Sequence, residues 1–74
     1  MKLKPLPVDK VIKVLSKIGF QIIRQKGRHI FLRHPDGRTT VVPSHKGERI
    51  GRGLLMKIIK DTKISKEKFM EIIE

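Results

Sequence analysis

The sequence has no cysteine, no tryptophan and no tyrosine, and few acidic residues: 7 Asp and Glu stand against 18 Lys and Arg. Without cysteine, neither disulfides nor thiolate metal sites hold it together, which is compatible with a reducing cytoplasm. No apolar run approaches the roughly 20 residues that span a bilayer. The opening MKLKPLPVDK lacks the continuous apolar segment of a signal peptide. A membrane-surface role would want aromatic anchors and basic residues confined to one helix; the sequence offers neither, so no membrane partner is expected. The only aromatic rings of the Phe, Tyr and Trp class belong to Phe20, Phe31 and Phe69. At least two of them are expected in the core, which argues against a platform that stacks bases on rows of aromatic side chains.

What is present is positive charge. The net charge is +11. From Thr62 onward Lys63, Lys66 and Lys68 cancel Glu67, Glu71 and Glu74, so the whole excess lies before that point. A polyanion, above all nucleic acid, is the natural partner of such a chain; the bland alternative is a generically basic protein. The 74 residues, 1–74, are read as a single domain. A domain of this size buries only about 60% of its unfolded surface, so two layers and a surface site are expected.

Pro7 suits the first turn of a helix, and Val8, Val11, Ile12, Leu15 and Ile18 recur at spacings of three and four. Gly19 is placed to end that helix in the left-handed conformation. Phe20–Lys26 and His29–His34 read as strands separated by Gly27. HPDGRT is a turn, and Thr39–Val42 is a third strand stopped by Pro43. Because Ile30, Phe31 and Leu32 are all apolar, the register of the middle strand stays open. Pro43–Gly53 is expected to be a loop into a helix with Leu55, Ile58 and Ile59 inside. Ser65 then caps a last helix carrying Phe69, Ile72 and Ile73. The fold class is α+β, in the order α-β-β-β-α-α. A three-stranded antiparallel sheet would have helices on one face and the other face open.

His29, His34 and His45 lack cysteine partners and helical zinc spacing, and no dense carboxylate cluster exists for magnesium. No metal and no cofactor are expected. Gly47, Gly51 and Gly53 with Arg49 and Arg52 before a helix suggest a modest phosphate contact or simply a loop that needs glycine. The last two helices could imitate a helix-turn-helix, but SKEKFMEIIE is charge-neutral and looks like core.

His29 remains, amid Arg24, Lys26 and Arg28. It is either an ordinary polar residue or the base of an RNA-cleaving site. RNA supplies its own 2′-OH as nucleophile, so the protein needs only a base and cations around the phosphorane-like transition state.

These residues resemble a known family. KGRHIFLRHPDGRTTVVPSHKG and RGLLMKIIKDTKISKEKFMEII, with VIKVLSKIGFQIIRQKG before them, are similar to the HicA-type mRNA interferase toxins of toxin–antitoxin pairs. The resemblance covers nearly the whole chain. It implies a double-stranded-RNA-binding-domain-like fold, cleavage of mRNA in the cytoplasm, and a HicB-type antitoxin that masks the site. The family's Gly-Ser-His, with its catalytic histidine, corresponds to Gly27-Arg28-His29, where Arg28 replaces the usual serine. His29 is therefore expected to be catalytic. Lys26, Gly27, Arg28, Arg24, Arg33, Lys46, Arg49 and Arg52 are the candidate RNA- or phosphate-binding residues. A non-enzymatic RNA-binding module and a pure protein-docking surface are the rival readings.

Overall fold

A computed structural model describes residues 4–44 and 49–73. The elements are β1 (Leu6–Pro7), α1 (Val8–Lys17), β2 (Gln21–Lys26), β3 (His29–Arg33), β4 (Thr39–Pro43), β5 (Arg49–Ile50), α2 (Arg52–Thr62) and α3 (Lys66–Ile73). The chain is α+β, with three helices and the antiparallel sheet β2-β3-β4, as its periodicities imply.

Helix α1 buries Val11, Val14 and Leu15 and starts directly after Pro7. Its C-terminus is a Schellman motif: Gly19, at φ 105°, donates to the Ser16 carbonyl and Phe20 to that of Leu15. Those two bonds satisfy orphan carbonyls and turn the chain so that Phe20 enters the core beside Leu15. Helix α3 begins as expected, with the Lys68 amide donating to Ser65 Oγ at 3.0 Å.

In β3 the buried residues are Ile30 and Leu32, which fixes the register left open by sequence. Val42, between Thr40 and the strand end, faces the same way, and the helices pack on this side, chiefly against β4. Phe20, Leu55, Ile58, Ile59 and Phe69 complete the core, with Ile72 and Ile73 half-buried at its edge. No residue of β2 is buried. It is the outer strand, farthest from the helices, and it leaves Ile22 and Ile23 exposed.

Two features depart from the sequence reading. The expected loop Pro43–Gly53 contains β5, which pairs antiparallel with β1 and buries Ile50. Two residues of pairing are too few to leave a period in the sequence, but burial of one isoleucine favours closing the ladder. The second departure is a bulge in β2: Ile22 pairs with Leu32 and Arg24 with Phe31, leaving Ile23 as the extra residue.

The β3–β4 turn is held by its side chains. Asp36 accepts from the Arg38 amide at 3.0 Å and from Arg38 Nε at 2.8 Å. The backbone N–H of Arg38 does most to hold the Asp36 carboxyl below the usual carboxylate range; desolvation opposes it, and the Arg38 guanidinium and His34 add to the lowering. Arg38 also donates through Nη1 to the Thr62 carbonyl, latching the turn to the end of α2.

His34 packs edge-on against Phe20, with centroids 5.4 Å apart. Its Nε2 lies 3.1 Å from the Ile18 carbonyl, and its Nδ1 lies 3.1 Å from the Asp36 amide. The same Nδ1 also lies 2.9 Å from Asp36 Oδ1, so the ring is held on one side by the end of α1 and on the other by the turn. His34 is thus a structural histidine that ties the sheet to the end of α1.

Candidate active site on the open sheet face

Partners in register share a face of a sheet. Since Ile30 and Leu32 point to the helices, His29, Phe31 and Arg33 point away from them. Three cross-strand rows follow on this open side. They are Lys26–His29–Pro43, Arg24–Phe31–Val41 and Gln21–Arg33–Thr39. His29, Lys26, Arg24 and Arg33 are all exposed. The Arg24 guanidinium carbon lies 4.6 Å from the Phe31 ring centroid.

The hairpin tip positions the histidine. Lys26 pairs with His29, leaving Gly27 and Arg28 as a two-residue turn. Gly27 has φ 58°, and no other described non-glycine residue besides Lys63 has positive φ. A positive φ at the first central position alone is the pattern of a type II′ turn. Counted back from this turn, strict alternation puts Lys26 and Arg24 on the face of His29. A Cβ at Gly27 would meet nothing within 4 Å, so the requirement is conformational alone. Gly27→Ala is expected to destabilise the fold by about 1–2 kcal/mol. In a domain of this size that lowers Tm by roughly 4–16 °C, read in a thermal melt.

The tip is tied to the next strand as well. The Ser44 amide donates to the Arg28 carbonyl at 2.6 Å, extending the ladder one step beyond His29–Pro43. Pro43 therefore sits in the histidine row and Ser44 just beyond it, a neighbourhood that required the β3–β4 register to see. Arg28 is exposed at the tip and engaged in an interaction of its own.

The other candidates are dispersed. Arg49 belongs to the β1–β5 ladder, opposite Pro7, and Arg52 is the first residue of α2. Neither lies in the three-stranded sheet. Lys46 and His45 fall outside the described residues. Among the described residues, no three carboxylate, imidazole or thiol groups converge as metal ligands would, and no helix is long and apolar enough to cross a membrane.

Sequence reasoning missed the outward placement of Phe31 and the bulge at Ile23. Two adjacent isoleucines inside an exposed strand break the period of two, and that was the available signal for the bulge.

One exposed imidazole opposite a lysine, on a sheet face bordered by arginines, suits binding of a phosphodiester and transfer of a proton beside it. The family model described as HicA toxin of bacterial toxin–antitoxin matches residues 8–64, which include α1, the whole three-stranded sheet and α2. No curated protein matches the chain. With the match spanning most of its length, the chain belongs to the HicA toxin family of bacterial toxin–antitoxin systems.

Proposed function

We propose that the chain is a metal-independent endoribonuclease that cleaves mRNA in the cytoplasm, with His29 as its catalytic residue, and that a HicB-type antitoxin restrains it by covering the open sheet face. The observation that carries this reading is the row Lys26–His29, exposed together on that face. Opposite residues in an antiparallel pair have Cβ atoms about 4.5–5.5 Å apart, so one phosphodiester can engage both side chains.

The chemistry needs little else. Neutral His29 removes the proton of the ribose 2′-OH, and that oxygen attacks the adjacent phosphorus. Charge gathers on the non-bridging oxygens, where Lys26 and the neighbouring Arg24 offset it. The bond from phosphorus to the 5′ oxygen breaks, that oxygen takes a proton from water, and the His29 imidazolium returns its proton to water and is neutral again. A 2′,3′-cyclic phosphate and a 5′-hydroxyl remain. No nucleophile from the protein and no metal enters the scheme. An antitoxin with an acidic surface complements the same cations and excludes RNA by occupying their face.

A non-enzymatic RNA-binding module would use this face too. The observation favouring it is Arg28, a phosphate-binding type of residue where the family usually has serine. The two readings part at strand scission. For both, RNA affinity is expected to fall with salt at about 0.7 log units per log unit for each phosphate neutralised. If Arg24, Lys26, Arg28 and Arg33 each neutralise one, the slope is about −2.8, and affinity drops about 50-fold between 50 and 200 mM salt. Filter binding to a 2′-O-methyl RNA measures the slope, and a cleavage assay on ordinary RNA separates the readings. A flat salt response would remove both.

A further inference from the structure

Of the three phenylalanines, Phe20 and Phe69 are buried among the helices, at 2% and 0% exposure. Phe31 is not. It stands in the middle row of the middle strand on the open face, half-buried, with the Arg24 guanidinium over its ring. Neither the fold nor the cleavage chemistry uses an aromatic ring there. The core is closed by Ile30 and Leu32 on the opposite face, and a β-branched residue would serve the strand equally well.

Phe31 is two residues from His29 along one strand and on the same face. Strand geometry separates such residues by roughly 6.8 Å, about one step along an extended nucleic-acid strand. A phosphate held between Lys26 and His29 thus has its neighbouring nucleotide over the Arg24–Phe31 row. Nucleobases layer on arginine planes as well as on aromatic rings, and the two surfaces are combined here.

We infer that Arg24 and Phe31 form a nucleobase-binding subsite, which stacks one unpaired base of single-stranded RNA beside the phosphodiester at His29. The inference rests on the RNA-directed reading of the site and narrows it. Bases inside a duplex are already stacked and cannot reach a protein ring, so the subsite selects single-stranded substrate although the fold resembles a double-stranded-RNA-binding domain. Purines, with the larger stacking surface, are favoured over pyrimidines. Arg24 acts through its plane as well as its charge, a property lysine lacks.

The test uses the full chain and a single-stranded 2′-O-methyl oligoribonucleotide carrying one 2-aminopurine, which cannot be cleaved through its 2′ oxygen and loses fluorescence on stacking. The wild type is expected to quench it, and an unlabelled single strand is expected to compete better than the matching duplex. Phe31→Leu should abolish most of the quench and weaken binding about 5- to 150-fold, the range for loss of one stacked base. Arg24→Lys should lose part of the quench while keeping the salt slope. Phe31→Tyr should restore both quench and affinity, and thermal melts of each variant separate lost stacking from lost folding. Binding by the wild type without quenching would overturn the subsite and leave the RNA reading standing. The subsite is overturned as well by a duplex that competes equally, or by Phe31→Leu binding RNA normally while losing capture of a protein partner. No RNA binding by the wild type would overturn both.

Discussion

Replacing His29 by alanine is expected to slow RNA cleavage by about 10²- to 10⁴-fold, the usual contribution of a positioned base, with almost no change in Tm. The two halves of this expectation have separate causes. His29 is exposed at the start of β3, and no hydrogen bond to its ring is seen among the described residues, so folding loses little with it. In the proposed mechanism the rate depends on it because a 2′-OH is a poor nucleophile until its proton is removed, and no other described histidine lies on that face. His34 provides the contrast. Its ring contacts Phe20 and the Ile18 carbonyl, and a Cβ at Gly19 would lie 2.7 Å from its Nε2. His34→Ala should therefore lower Tm, and at a temperature where it stays folded its cleavage rate should remain close to wild type. A single-turnover rate assay beside a thermal melt separates the two histidines. Equal cleavage by wild type and His29→Ala would remove this residue from the mechanism.

Phe20→Ala is expected to have the largest effect on stability. Phe20 is 2% exposed and sits where three devices meet: the capping turn after α1, the ring of His34, and the Arg38 guanidinium carbon 5.4 Å from its centroid. Truncating a buried phenylalanine costs about 3–5 kcal/mol. A domain of this length has only about 4–11 kcal/mol of net stability at 0.05–0.15 kcal/mol per residue. The corresponding fall in Tm is about 12–40 °C, and the energy lost is a large share of the stability that such a small domain has. Circular dichroism melts measure this directly, and a drop of only a few degrees would mean that the ring does not hold α1, the sheet and the β3–β4 turn together.

Much of this architecture was legible because local signals agreed with one another. The α1 stripe, Gly19, the His34–Arg38 turn and Ser65 each state their role in adjacent residues, and each does what its chemistry requires. Val14 was missed because it falls beside the stripe that was counted, although it too is buried. Long-range pairing was not legible: Leu6 meets Ile50 across most of the chain with no periodic trace of it. Three apolar residues in a row at 30–32 carry no parity, so the outward face of Phe31 waited on knowing which side the helices cover. The same geometry explains the exposed Ile22 and Ile23, since β2 lies beyond the reach of α1 and α2.

For the candidate site, the hairpin residues Arg24, Lys26, Gly27 and His29 could be gathered from sequence proximity and strand alternation. Arg49 and Arg52 could not be sorted from them by composition, because basic residues look alike until a sheet assigns them to different ladders. Ser44 and Pro43 became neighbours of His29 only through the β3–β4 register.

The chemistry proposed for His29 is tested most directly by the ends it would leave on RNA. Incubated with EDTA, the protein should convert ordinary single-stranded RNA to fragments ending in 2′,3′-cyclic phosphate and beginning with 5′-hydroxyl, and should leave the 2′-O-methyl version intact. Fragments bearing 5′-phosphates, scission of the 2′-O-methyl strand, or loss of cleavage when EDTA is added would contradict a metal-free imidazole acting on the ribose hydroxyl.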